Sequence, residues 1–321
     1  MLRNHNRELS CQIQMPTESD LKIRVEVKDH HPSSALCAIT VTTEHVPNLQ
    51  SEHVCLTGDI YGPVCKRSHT LPSRASIIDT SSHGTLTASA TVLDPTPWSP
   101  ELPATYLATV HASIDGDSPS TCTHQFGFKS LEIRNDSFYI NQRRFVPRLA
   151  QLEIKNDDAS NLLDVITEEH LCLATSHPTH DLLELATKQG CWVFIMLDGS
   201  EEPATVLSWC KHPACFAMVL MSEASIQLIN PLRDYVTSYT LLGQQITAGQ
   251  VLSEFVQFVT VDANELEALD ITNRPIVVTR NDRDVSIENG RRGCELIQRD
   301  ATAYGDFAGY AVLISATPDV D

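Results

Sequence analysis

Read along the chain, the hydrophobic and polar positions fall into two textures. From about residue 21 to 128, apolar and polar residues alternate in LKIRVEVKD, ALCAITVTT, GTLTASATVL and TYLATVHASI. Period-two alternation is the signature of half-buried strands. The Pro, Ser, Asp and Gly clusters between these runs predict turns. Short strands at this spacing predict an antiparallel sandwich.

After about residue 137 the period changes. RRFVPRL, LCLAT, CWVFIML, FAMVLM, FVQFVTV, PIVVTR and FAGYAVLI read as strands, CWVFIML as the continuous apolar run expected of a strand buried on both faces. ITAGQ offers a further strand. Between them, DDASNLLDVITEEH predicts a helix capped by Asp157 or Asp158, with Leu162, Leu163 and Ile166 on one face. THDLLELATKQG predicts a helix capped near Thr179 and stopped by Gly190. EEPATVLSWCKH and ENGRRGCELIQRD predict two more. Alternating strands and helices predict a parallel sheet, open or closed into a barrel. The segment holds about 185 residues, below the usual minimum of about 200 for a (β/α)8 barrel, so missing or shrunken helices are expected. The organisation expected is therefore a disordered arm over residues 1–20, a β-sandwich over 21–134, and a shortened TIM-like barrel over 135–321.

Composition narrows the function. The net charge of −18 would repel a phosphate backbone, which excludes nucleic acid as an expected partner. No run approaches the roughly 18 apolar residues of a membrane span, and the polar N-terminus lacks a secretory signal. A cytoplasmic location follows as the expectation, and the ten cysteines, with no CxxC pair among them, read as reduced thiols. His177 and His180 could approach each other, yet no third ligand follows at metal spacing, so neither metal nor cofactor is expected. No GxSxG elbow and no phosphate-binding glycine pattern occurs.

The junction between the textures carries the most specific signal. Trp98-Ser99-Pro100-Glu101-Leu102-Pro103 and Tyr106-Leu107-Ala108-Thr109-Val110 resemble the W-S-P-E-x-P-x-L-Y-x-L-x-V strand of glycoside hydrolase family 2, which lies in that family's immunoglobulin-like domain, so the resemblance implies an immunoglobulin-like β-sandwich here. Phe126-Gly127-Phe128-Lys129 is similar to that family's F-G-F-R, and the run from Phe138 to Arg148 to the F-x-L-N-G-K-P-V-x-L-R-G that opens its barrel. Further on, Thr175-Ser176-His177-Pro178 resembles T-S-H-Y-P, Leu182 to Val193 resembles F-L-D-L-C-D-E-L-G-L-W-V, His212-Pro213 resembles H-P-S, and Arg274-Pro275-Ile276-Val277-Val278-Thr279 resembles K-P-I-I-x-S.

This resemblance implies a retaining glycosidase, of β-galactosidase, β-glucuronidase or β-mannosidase type, with a carbohydrate ligand. It places Glu223, eleven residues after His212, at the acid/base position. The nucleophile position falls on Arg280, a cation that stays protonated and cannot attack an anomeric carbon. Pairing of Arg280 with Glu223 is expected. A displaced carboxylate, Asp282 or Asp284, is the alternative nucleophile. His177, Ser222 and Asp198 are the expected substrate-binding positions. Several family polar positions are altered: Asn to Ser222 and to Leu171, Arg to Ala174, and Glu to about Met196. The first barrel strand, Leu149 to Glu153, has no counterpart of the family's G-V-N-R-H histidine. Fixed hydrogen-bond partners are what a sugar site depends on, so the resemblance implies impaired or absent turnover. A non-catalytic interaction module is the reading from another class; oligomeric state is left open.

Overall fold

The computed structural model describes residues 21–31, 33–43, 54–82, 85–114, 119–154, 159–237, 239–247, 249–268, 273–280 and 285–314. The N-terminal arm, Cys11, Asp157, Asp158, Asp282 and Asp284 therefore lie outside the described residues. Contacts divide the chain into two units. One runs up to Gly62 and adds Pro72–Pro95 and Tyr106–Gln125; the other takes Pro63–Leu71, Thr96–Thr105 and everything from Phe126 onward.

The first unit is built on two antiparallel sheets. β1 (Leu21–His31), β2 (Ser34–Thr43), β5 (Ile78–Asp79) and β6 (Leu86–Leu93) form one, in the order β1-β2-β6-β5. β3 (Val54–Val64), β4 (Ser73–Ser76), β7 (Thr105–Ile114) and β8 (Ser120–Phe126) form the other, in the order β4-β3-β7-β8. The alternation seen in the sequence is the burial pattern: Leu86, Ala88, Ala90 and Val92 of β6 are buried while Thr87, Ser89, Thr91 and Leu93 are not. β3 escapes the pattern reading because Gly58 and Gly62 interrupt it.

The second unit opens with a three-stranded meander, β9 (Leu131–Arg134), β10 (Ser137–Ile140) and β11 (Arg143–Phe145). Then eight parallel strands close into a barrel: β12 (Arg148–Gln151), β13 (Cys172–Ser176), β14 (Val193–Leu197), β15 (Cys215–Leu220), β16 (Leu241–Ile246), β17 (Phe258–Asp262), β18 (Ile276–Arg280) and β19 (Gly309–Leu313). Every residue of β14 and β15 is buried, which is why these runs read as continuous rather than alternating.

Helices cover the barrel unevenly. α1 (Ala159–Glu168), α2 (His180–Gln189), α3 (Pro203–Trp209), the pair α4 (Glu223–Ile229) and α5 (Arg233–Val236), and α6 (Gly290–Ala301) follow β12, β13, β14, β15 and β18. No helix is described between β16 and β17, and only a 3-10 turn, Ala263–Ala268, follows β17. The barrel is thus shortened by lost helices, as its length demands. No described helix is long and apolar enough to cross a membrane.

Two strand assignments change. RRFVPRL is not one strand: Pro147 separates β11 of the meander from β12 of the barrel, since proline cannot donate to a ladder. The fifth barrel strand is LLGQQI rather than ITAGQ, the two sharing only Ile246. Its glycine and two glutamines hide it from a hydrophobicity scan. Gly243 is needed there because a Cβ would collide with the ring of Phe258. That ring belongs to an aromatic plug with Phe138, Phe194 and Phe216, in which Phe194 and Phe216 stack at 4.8 Å.

The family-like junction residues are also accounted for within the second unit. Trp98 is fully buried, donates from Nε1 to the Thr187 carbonyl at 3.1 Å and meets Trp192 edge-on at 4.4 Å. Lys129 donates to the carbonyls of His212 (3.1 Å) and Cys215 (2.9 Å), and burial holds its pKa below the ordinary lysine range.

Candidate functional site

In a parallel barrel the strand C-termini converge on one face, where the following loops present side chains. Here that face collects Glu153 after β12, Ser176 and His177 at the end of β13, Asp198 and Glu201 after β14, and Ser222 and Glu223 after β15. His177 turns the chain at a left-handed φ of 46°. Thr179 then caps α2, accepting from Leu182 N at 3.2 Å.

The loop after β14 is tied down by its own hydrogen bonds. Asp198 Oδ1 accepts from Ser200 N at 2.8 Å. The Glu201 side chain is 1% exposed, and its two oxygens accept from Asp198 N (3.1 Å) and Gly199 N (2.9 Å). Gly199 adopts φ 97°, and a Cβ on it would strike the backbone of Ala224 and Ser225. Ser222 Oγ donates to the Asp198 carbonyl and caps α4, accepting from Ser225 N at 3.2 Å. Loop and helix start are therefore one hydrogen-bonded body.

His177 stands over this body. Its Nε2 lies 3.6 Å from Asp198 Oδ2 and its Nδ1 3.9 Å from Glu201 Oε1. The Ser200 backbone N–H, helped by the Ser200 hydroxyl and His177, holds the Asp198 carboxyl below the usual carboxylate range. Ligand atoms of His177, Asp198 and Glu201 all fall within 4.8 Å of one another, as in a three-ligand metal set. Both Glu201 oxygens are already engaged by backbone N–H groups, so that carboxylate serves the loop first. Glu153 is similarly occupied, accepting from Ser176 N at 2.8 Å and Thr175 Oγ1 at 3.3 Å.

His177, Asp198 and Ser222 thus come together. His177 and His180 do not pair with each other: His180 Nδ1 meets His212 Nε2 at 2.9 Å instead. Glu223 is exposed and is the first residue of α4, three positions past the end of β15 rather than on the strand. Arg280 ends β18, three strands further round the barrel. Its partner is Asp300 of α6, Nη1 to Oδ2 at 3.1 Å, and not Glu223 as expected. A carboxylate already on the neighbouring helix satisfies the guanidinium locally. Asp300 also pairs with Arg299 at 3.0 Å, and the two arginines hold its carboxyl low. Ala174, Leu171 and Met196 are buried, packed into the core.

Sequence reasoning passed over Glu201. The signal was available in Asp198-Gly199-Ser200-Glu201, a turn tetrad ending in an acid directly after a fully apolar strand.

Comparison with known proteins bears on this geometry. The pattern of "Glycosyl hydrolases family 2" matches residues 11–129. The chain resembles glycosyl hydrolase family 2. No curated protein matches its sequence significantly. Among solved structures, a Bifidobacterium dentium β-glucuronidase complexed with coumarin-3-O-glucuronide superposes with TM-score 0.64 at 11% identity, over 91% of this chain and 60% of that one. A Bacteroides uniformis β-glucuronidase gives 0.62 at 14% identity, over 91% and 45%. A glycosyl hydrolase family 2 member from Bacteroides cellulosilyticus gives 0.63 at 13% identity, over 91% and 43%. At such identities the likeness establishes a shared sandwich-and-barrel fold. The chain spans at most 60% of the length of these three family 2 structures.

Proposed function

We propose that this chain is a family 2-like protein of carbohydrate metabolism whose glycosidase activity is impaired or absent. The observation that carries the reading is the pairing of Arg280 with Asp300. Retaining hydrolysis needs an acid/base and a nucleophilic carboxylate roughly 5 Å apart across the scissile bond. By resemblance Glu223 occupies the first role and Arg280 the second position. A guanidinium committed to Asp300 supplies neither a lone pair nor a vacancy for one. The ligand class is a β-glycoside, in keeping with the glucuronide named for the Bifidobacterium structure. His177, Asp198 and Ser222 would meet its hydroxyls, since they share the barrel face with Glu223. The charge of −18 argues against a nucleic-acid partner, and a cytoplasmic location belongs to the same reading.

The test is hydrolysis of p-nitrophenyl β-glucuronide, β-galactoside and β-mannoside. The expected result is no release above that of Glu223→Gln. Turnover abolished by Glu223→Gln would overturn the reading and favour the alternative, a displaced nucleophile at Asp282 or Asp284. A 2-fluoro-glycoside that becomes attached to either aspartate would identify it. Absence of both turnover and saturable sugar binding would leave the non-catalytic interaction module.

A further inference from the structure

The C-terminal face of the barrel brings one imidazole and two carboxylates, from the loops after β13 and β14, to a common point. Ligand atoms of His177, Asp198 and Glu201 lie within 4.8 Å of one another. Yet the ring meets neither acid at ordinary hydrogen-bond length. Its separations of 3.6 Å to Asp198 and 3.9 Å to Glu201 exceed the usual N–H···O distance of about 2.9 Å. Ligands about 2.1 Å from one ion stand roughly 3.4 Å apart in a tetrahedral set. The spacing therefore suits a bridging cation better than direct contact.

Glu201 supplies an independent reason. Its side chain is 1% exposed and its carboxylate lies in the cluster, so this negative charge is buried. Among the described residues its one ion pair is with His177, a ring charged only when protonated. Buried charges are paired or coordinate metals. The carboxylates are also oriented as ligands. Each Glu201 oxygen accepts a backbone N–H and keeps a second lone pair. Asp198 Oδ1 accepts from Ser200 N, while Oδ2 is the oxygen on the His177 side. Hydrogen bonds of this kind fix ligand direction in metal sites. Solvent reaches the cluster, since the His177 and Asp198 side chains are 50% and 58% exposed. Arg280, the cation that ends β18, is turned to Asp300 instead.

We propose that His177, Asp198 and Glu201 hold one divalent transition-metal ion of the manganese-to-zinc class. One imidazole with two carboxylates is a mixed nitrogen–oxygen set. Imidazole suits zinc, iron and nickel, and carboxylate suits manganese. Magnesium and calcium, which favour oxygen ligands, gain little from His177. Three protein ligands leave a position of the ion open to solvent. The site shares its barrel face with Glu223 but does not rest on the glycosidase reading, because metal binding is measured without sugar or turnover.

The probe is Mn²⁺, added to the full chain after chelator treatment and dialysis, with free Mn²⁺ followed by EPR. Manganese is chosen because the chain's many thiols are soft ligands that compete poorly for it. Expected is saturable binding of one ion per chain. Zn²⁺ should displace it, as the order of divalent affinities requires, and Mg²⁺ in about tenfold excess should not. His177→Ala and Asp198→Asn should each weaken Mn²⁺ binding at least about tenfold. His69→Gln, at an exposed histidine outside the cluster, should leave it unchanged. His177 and Asp198 are exposed, so their variants report on binding even where Glu201→Gln fails to fold. No saturable Mn²⁺ binding below about 1 mM, or equal binding by wild type and His177→Ala, would overturn the proposal. Displacement by Mg²⁺ as readily as by Zn²⁺ would overturn it too.

Discussion

Glu201 shows how one side chain can decide a local structure. Its buried carboxylate answers two successive backbone N–H groups in a loop that has no ladder of its own. Glu201→Ala leaves both without an acceptor and should cost about 1–3 kcal/mol in urea denaturation. Glu201→Gln, which keeps one acceptor oxygen, should lose less. A second residue-scale expectation concerns Arg280. On the proposed reading, Arg280→Glu would put a carboxylate at the nucleophile position but beside Asp300, with Ala174 and Ser222 standing where the resemblance has Arg and Asn. Release of p-nitrophenol by this variant should therefore stay at the level of Glu223→Gln. Recovery of turnover by the single change would mean that position 280 alone had been lost.

At the scale of the element, α2 is defined at both ends by residues that do different physical work. Thr179 accepts the Leu182 N–H at the start, and Gly190 closes the end at φ 74° with its N–H on the Ala186 carbonyl. Thr179→Ala should cost about 1 kcal/mol. Gly190→Ala should cost more than that, because a Cβ there would add contact with the Pro100 carbonyl to the left-handed strain. Thermal melts of the two variants beside wild type test the ranking; a milder effect for Gly190→Ala would show that the Pro100 turn yields. The same close approach seats the turn that carries Trp98-Ser99-Pro100-Glu101 against the glycine at the end of α2.

At the scale of the whole molecule, six thiols buried among the described residues contribute to the behaviour at high pH. Burial pushes Cys37, Cys191, Cys210 and Cys294 up to about 12, and raises Cys172 and Cys215 as well. A free thiol titrates near 8.5. Above that value the unfolded chain releases protons that the folded chain keeps. Stability contributed by these groups is full below about pH 8.5 and is lost as pH rises toward about 12. Each such thiol steepens the decline by about 1.4 kcal/mol per pH unit. Lys129, whose pKa burial lowers, works in the opposite sense, adding stability as pH rises toward the ordinary lysine value. Urea denaturation from pH 8 to 11 should show a falling midpoint, and Cys294→Val should flatten the slope by about one proton. An unchanged slope would mean that Cys294 is as accessible as in the open chain.

The sequence by itself determined which segments become strands and helices wherever burial follows one regular pattern along the segment. Alternation marked β1, β2, β6 and β7, continuous apolar runs marked β14 and β15, and Thr179 and Gly190 marked the ends of α2, because these signals are local. It also carried the family likeness, in motifs whose residues turn out to be packing and hydrogen-bonding anchors, the buried Trp98 and the half-buried Lys129. Tertiary structure alone decided what depends on neighbours distant along the chain. LLGQQI becomes a strand because Gly243 makes room for Phe258, fifteen residues on. Arg280 turns to Asp300 because α6 packs back beside β18, and Glu201 becomes a buried loop anchor because the strand before it ends at the barrel face. Periodicity along a chain encodes how much of each residue is covered; it does not encode which residue does the covering, and site chemistry depends on the second.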